Sequence, residues 1–265
     1  MHQFIMLLVV LAISACSAPP KEEVAKVVQD VNSCEIQGPQ TPRDISNKAG
    51  TNPMRFELAP SFSKMNLCNI HFHKNAEHKG PEFSVFKGDG DSGGYACNAT
   101  VDQSDSKMKP VVGACKGISV GDTIEVHWVH TSCNINPGPT LGSCLADDCK
   151  DPVLRVETQV FLLVNDPKAN DFSKFNYKEK VNGLHQAEYL PSRFGAVQFL
   201  GSTTGPQYNN VTCSPFKVNW SVTPNCAQLD INTLHSWCAN NIFKEDQAQG
   251  VRKLVVDPRF LSEIK

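Results

Sequence analysis

Several things are scarce in this 265-residue chain, and each scarcity removes a class of protein. There is no stripe of basic residues: 25 Lys and Arg stand against 27 Asp and Glu, so nucleic acid is not the expected partner. Helical periodicity is sparse, confined to Glu22 to Val31 and to Leu229 to Asn241, where Leu229, Ile231, Leu234 and Trp237 or Cys238 recur at roughly helical spacing. No internal repeat and no central linker divides the chain. No Cys-x-x-Cys pair occurs, which speaks against a cysteine zinc cluster. The one long apolar run, within residues 1 to 16, is too short to span a bilayer and ends in small residues, the pattern of an export signal. Its start carries a histidine but neither Lys nor Arg.

The end of that run, Ile13-Ser14-Ala15-Cys16, resembles a bacterial lipobox, which implies cleavage after residue 15 and a lipid on Cys16. The polar, proline-bearing segment that follows reads as a tether, 16–30. One domain from 31 to 265 is then expected, exported to the periplasm or cell surface and held to the membrane only through Cys16. Ten cysteines remain after Cys16. An even number behind an export signal predicts disulfides in an oxidising compartment, with the pairing left open.

Short β-branched runs predict strands at Asn69 to His73, Thr123 to Val129, Val153 to Val164, Ala196 to Leu200 and Phe216 to Val222. Turn-rich stretches separate them, such as Lys87 to Gly94 and Asn136 to Pro139. The economical fold is mostly β, of the α+β kind, built on one large sheet with few short helices.

The chemistry concentrates in histidines. Alternate residues of a strand share a face, so His71 and His73 can offer two imidazoles to one cation. His127 would be the third ligand, and three neutral imidazoles leave a tetrahedral zinc one open position. Glu125 shares the strand face of His127 and can accept the N–H that a metal-bound ring leaves unused. The alternative is a solvated face, since Thr123, Glu125 and His127 simply alternate. His130 lies three residues from His127 and so points to the opposite face.

Asn69-Ile-His-Phe-His-Lys-Asn-Ala-Glu-His-Lys-Gly80, then Glu125-Val-His-Trp-Val-His130, then Gly201-Ser-Thr-Thr-Gly-Pro206 and Val218-Asn-Trp220 together resemble carbonic anhydrases. The match is best to the delta class and parallels the zinc site of the alpha class. The resemblance implies a large twisted, mainly antiparallel sheet like the alpha-class fold. It implies His71, His73 and His127 as zinc ligands, with cobalt or cadmium able to replace zinc, and Glu125 as partner of His127. Thr203 corresponds to the threonine that accepts a hydrogen bond from zinc-bound hydroxide, and Glu77 to the glutamate that orients it. Because the Gly-Ser-Thr-Thr run is one apolar residue shorter than the alpha pattern, Thr204 is an alternative. His78 and His130 match structural histidines. Val129 and Trp220 fall where the wall of a carbon dioxide pocket is expected; core packing would account for them equally well.

The activity implied is zinc-dependent, reversible hydration of carbon dioxide to bicarbonate and a proton. A non-catalytic surface binding protein of the same fold, or a zinc-dependent esterase or hydrolase, are the alternatives. The mature chain has no histidine before His71 to serve as a proton shuttle; His185 and His235 are the remaining candidates. The stretch between His73 and His127 is long, and is read as a loop excursion closed by Cys97 with Cys115. Asp89 and Asp91 within it lack the distal glutamate of a calcium loop and read as a turn.

Overall fold

Alternation between two buried faces shapes the main sheet. This computed structural model describes residues 33–90, 93–102, 104–205, 207–251 and 255–265. The export run, Cys16, the tether, the candidate helix at Glu22 to Val31 and Asp91 lie outside them. The strands are β1 (Asn66–Lys74), β2 (Val85–Phe86), β3 (Tyr95–Ala96), β4 (Thr123–Thr131), β5 (Val153–Val164), β6 (Tyr177–Val181), β7 (Leu184–Ala187), β8 (Val197–Gly201) and β9 (Lys217–Asp230), followed by helix α1 (Ile231–Ala239). Five of them form one sheet in the order β1-β4-β5-β9-β8, while β2 with β3 and β6 with β7 form small hairpins. All its pairings are antiparallel except β5 with β9. The expectation of a mostly β, mainly antiparallel architecture with few short helices is met.

Parity divides the side chains of each strand. Ile70, Phe72, Ile124, Val126, Trp128, Phe161 and Leu163 enter one core with Leu234 and Trp237 of α1. Val129, Val156, Val160, Leu162, Trp220 and Val222 enter the other. Because both faces are covered, the strands read as continuous buried runs, and β4 is buried at every position. Asp230 starts α1 by accepting from the Asn232 N–H at 3.2 Å.

Five disulfides join Cys34 to Cys213, Cys68 to Cys144, Cys97 to Cys226, Cys115 to Cys238 and Cys133 to Cys149. The expected Cys97 to Cys115 bridge is not formed. The two cysteines leave the excursion toward different cores, Cys97 into that of Val129 and Cys115 into that of Trp128, and each meets a partner more than a hundred residues away. At the Gly-Asp turn the Gly93 N–H donates to Gly90 and the Gly94 N–H to Gly88.

His130 faces away from His127, as strand parity requires. Its Nδ1 lies 3.1 Å from the Trp128 carbonyl and its ring packs on Phe62. Burial disfavours the cation and pushes its pKa down to about 4. The unfolded chain therefore takes up a proton near pH 6.5 that the folded chain refuses until about pH 4. Stability is present above that window and falls as pH drops through it, by about 3 kcal/mol from this one group. Urea unfolding at pH 7 and pH 4.5 should show that loss shrink in His130→Leu; an identical loss in both proteins would refute the assignment.

Candidate metal centre

The antiparallel ladder itself brings the histidines together. His71 stands directly opposite His127, and His73 opposite Glu125, so a pair and a single histidine far apart in sequence become neighbours on one face. Their rings form a nearly equilateral triangle, with centroids 5.2, 5.0 and 4.9 Å apart. All three are buried.

Each ring is turned by a partner outside the triangle. His71 Nδ1 lies 2.6 Å from Asn69 Oδ1, and His73 Nδ1 lies 3.2 Å from the Gly250 carbonyl. Both rings therefore direct Nε2 inward. His127 is reversed: its Nε2 faces Glu125 Oε1 at 3.7 Å and its Nδ1 faces His71 Nε2 at 3.2 Å. Two ligand nitrogens on a tetrahedral zinc lie roughly 3.3 Å apart, given bond lengths near 2.0 to 2.1 Å. Burial first, then the neighbouring His127 and His73, lowers the His71 pKa well below its ordinary value, against a smaller opposing pull from Glu125. Neutral imidazole is the form a metal binds.

The candidate ligand nitrogens of His71, His73 and His127 all lie within 4.8 Å of one another, as do the nitrogens of His78 and His127 and a carboxylate oxygen of Glu125. The two groups differ in what their atoms already do. His78 Nδ1 is 2.8 Å from Glu125 Oε1, so that pair satisfies itself, while the inward nitrogens of the first group have no such partner among carboxylates. The His71, His73 and His127 set fits a divalent cation better.

Glu125 is the hub beneath this centre. Besides His127 and His78, it accepts the backbone N–H of Glu77. Burial alone would raise its pKa, but His78 and His127 outweigh burial and hold it well below the carboxylate range. The segment it anchors points Glu77 at Thr204, whose hydroxyl donates to Glu77 Oε1 at 3.1 Å. Thr203 is turned elsewhere, with its hydroxyl 2.8 Å from that of Ser214. Glu77 thus meets Thr204 and not Thr203.

The threonine segment is fixed by close packing. Thr41 Oγ1 donates to the Ser202 carbonyl at 2.6 Å and accepts from the Ser202 N–H at 3.0 Å. Residue 201 must be glycine, because a Cβ there would stand 2.6 Å from that same hydroxyl oxygen. Trp220 ties this segment to the metal centre: its Nε1 donates to the Ser202 carbonyl at 3.1 Å and its ring lies 5.3 Å from that of His127. Val129 is buried in the same core. Among the described residues, the two remaining histidines are engaged elsewhere. His185 meets the Tyr177 hydroxyl, and His235 accepts the Cys115 N–H from α1, in the core of the opposite face.

Sequence reasoning missed Asn69 and Gly250. Asn69 was legible, since it precedes His71 by two residues on the same strand face. Gly250 carried no signal; it acts through its carbonyl, from a segment that bridges to β1 at Gln249.

Three buried imidazoles that could hold a metal ion are thus backed by a carboxylate and set in a sheet. The comparisons place the chain more narrowly. The family model "Delta carbonic anhydrase" matches residues 62–233, so the chain belongs to the delta carbonic anhydrase family. No curated protein matches it. Among solved structures, a Photobacterium profundum alpha-carbonic anhydrase is similar at 14% identity over 94% of this chain and 98% of that one, with a TM-score of 0.29.

Outer partners such as Asn69 are worth about tenfold or more in metal affinity. Asn69→Ala should therefore bind zinc about tenfold more weakly in competition with a chromogenic chelator, with little change in thermal unfolding of the metal-free protein. Unchanged affinity would show that the contact does not orient His71.

Proposed function

We propose that this chain is a zinc enzyme that interconverts carbon dioxide and bicarbonate, with His71, His73 and His127 as its metal ligands. The observation that carries this reading is the triangle of three buried, inward-turned imidazole nitrogens, linked through Glu77, whose carboxylate lies 3.8 Å from His73 Nδ1, to the hydroxyl of Thr204. Family membership supports the activity, and the donor set supports zinc; cobalt or cadmium suits the same nitrogens.

Zinc bound by three neutral ligands supplies a water acidic enough to ionise near neutral pH. The chain's own residues do the rest. His71 and His73 are held by Asn69 and Gly250 so that the donor atoms need no reorganisation. Glu125 faces His127 Nε2 at 3.7 Å and so fixes which of its nitrogens turns inward. Thr204 gives its only hydrogen to Glu77, so its oxygen is left only to accept, which is what a hydroxyl that orients the reacting water would have to do. We assign Thr204 that role in preference to Thr203. Val129 and Trp220 supply apolar surface for a substrate without charge or dipole.

A hydrolase would need a further general base at the metal, and Glu77, the nearest carboxylate to suit, is occupied by Thr204. Water can carry the released proton to buffer, since His185 and His235 are engaged elsewhere.

Stopped-flow hydration of carbon dioxide by the zinc-loaded protein tests the reading. His127→Ala should abolish the activity. Thr204→Ala should lower kcat about a hundredfold, the range for loss of one preorganised hydrogen-bonding group, and Thr203→Ala should change it less than about threefold. A wild-type rate equal to that of His127→Ala would sink the enzyme, and a larger loss at Thr203 than at Thr204 would overturn the threonine assignment.

The same proposal includes export and anchoring. Five disulfides suit an oxidising compartment, and among the described residues no helix is long and apolar enough to cross a membrane. A lipid on Cys16 would supply the attachment. Metabolic labelling with a radioactive fatty acid should mark the wild type and not Cys16→Ala; equal labelling would exclude Cys16 as the site.

A further inference from the structure

The sheet has a second opening, on the face turned away from His71, His73 and His127. Arg155, Asn219 and Leu200 lie side by side on one rung across β5, β9 and β8. The rung that carries His127 continues through Thr158 and Val222, and positions 155 and 158 of one strand face opposite ways. Arg155, Asn219 and Leu200 line a cavity of about 510 Å³, within the range of small-molecule sites. Its other walls include Phe56, Leu58 and Ala59, so much of its lining is apolar.

Its polar groups converge and are unevenly paired. Asn219 is 95% buried, and its Nδ2 has no hydrogen-bond partner. A buried amide donor left without a partner costs about 1 to 3 kcal/mol, and here it lies in the lining of the cavity. Arg155 stands beside it, giving Nε to Glu157 Oε1 at 2.6 Å. Glu157 is shared with Arg193 at 3.4 Å, so two guanidinium groups face one carboxylate and the cluster keeps one positive charge. Arg55 and Glu263, both in the lining, cancel each other at 2.9 Å. The space is therefore apolar along its body and cationic, with an unmet donor, where Arg155 and Asn219 meet.

We propose that this cavity is a binding site for a small organic carboxylate whose apolar part lies against Phe56, Leu58 and Leu200 and whose carboxylate accepts from Asn219 Nδ2 and pairs with Arg155. Bidentate geometry favours a carboxylate on a guanidinium, and the apolar walls select an organic acid over an inorganic anion. The charged end of the site, at Arg155 and Asn219, lies across the sheet from the three imidazoles, although Trp220, which packs on His127, also enters the lining; its occupancy does not depend on catalysis.

Benzoate is a suitable probe and benzamide its neutral counterpart, measured by isothermal titration on zinc-loaded and on chelator-treated protein. Benzoate should bind both forms with Kd values within twofold of each other, and benzamide at least tenfold more weakly. Asn219→Asp, which replaces the donor with a like charge, should weaken benzoate at least tenfold. Leu200→Trp, which fills the space without touching the charges, should do the same, so that one variant remains if the other fails to fold. No binding to wild type, binding lost when the metal is removed, equal binding of benzamide, or unchanged Kd in the folded variants would each overturn the proposal.

Discussion

The candidate metal centre is built around one carboxylate kept ionised inside the protein. Glu125 is fully buried, and a lone charge so placed would cost several kcal/mol. It is tolerated because His127, His78 and the Glu77 N–H converge on it. Each of those partners is thereby fixed: His127 in orientation, His78 as a support, and the Glu77 segment in the path that carries its side chain to Thr204. A single electrostatic requirement thus aligns groups from β4 and from the turn after β1.

The sheet supplies the stiffness that this requirement needs. Because both faces are packed, a ligand strand cannot shift by one residue without driving aromatic rings into the metal centre and histidines into the Trp128 core. Trp220 extends that rigidity to the threonine segment, touching His127 with its ring and Ser202 with its indole N–H.

Much of this was legible in the residues. The histidine triangle follows from strand parity and the β5 limits from an unbroken β-branched run, observed over Val153–Val164 as expected. The threonine register was not, because Thr203 and Thr204 are adjacent and chemically identical; the choice is made by how Gly201, Thr41 and Ser214 fold the loop. Cysteine pairing was likewise hidden. Cys97 and Cys115 are near in sequence, yet the sheet lies between the cores they enter. The short β6 and β7 hairpin, with most of β6 exposed, lacks the apolar alternation that reveals a strand. Gly250 contributes only a backbone carbonyl, which no side-chain pattern can announce.

The excursion between His73 and Glu125 bears on how such a protein can change. Its hairpin, β2 with β3, stands outside the five-stranded sheet, while the ligand geometry is set by which residue of β1 faces which residue of β4. The entropy of closing a flexible loop grows only logarithmically, by about 0.6 kcal/mol for each doubling of length. Apart from Glu77 and His78, which meet Glu125, and Cys97 and Cys115, which are bridged to distant cysteines, residues can therefore be gained or lost in that segment across generations while the spacing of the three imidazoles stays constant, leaving the loop free to acquire new surface chemistry.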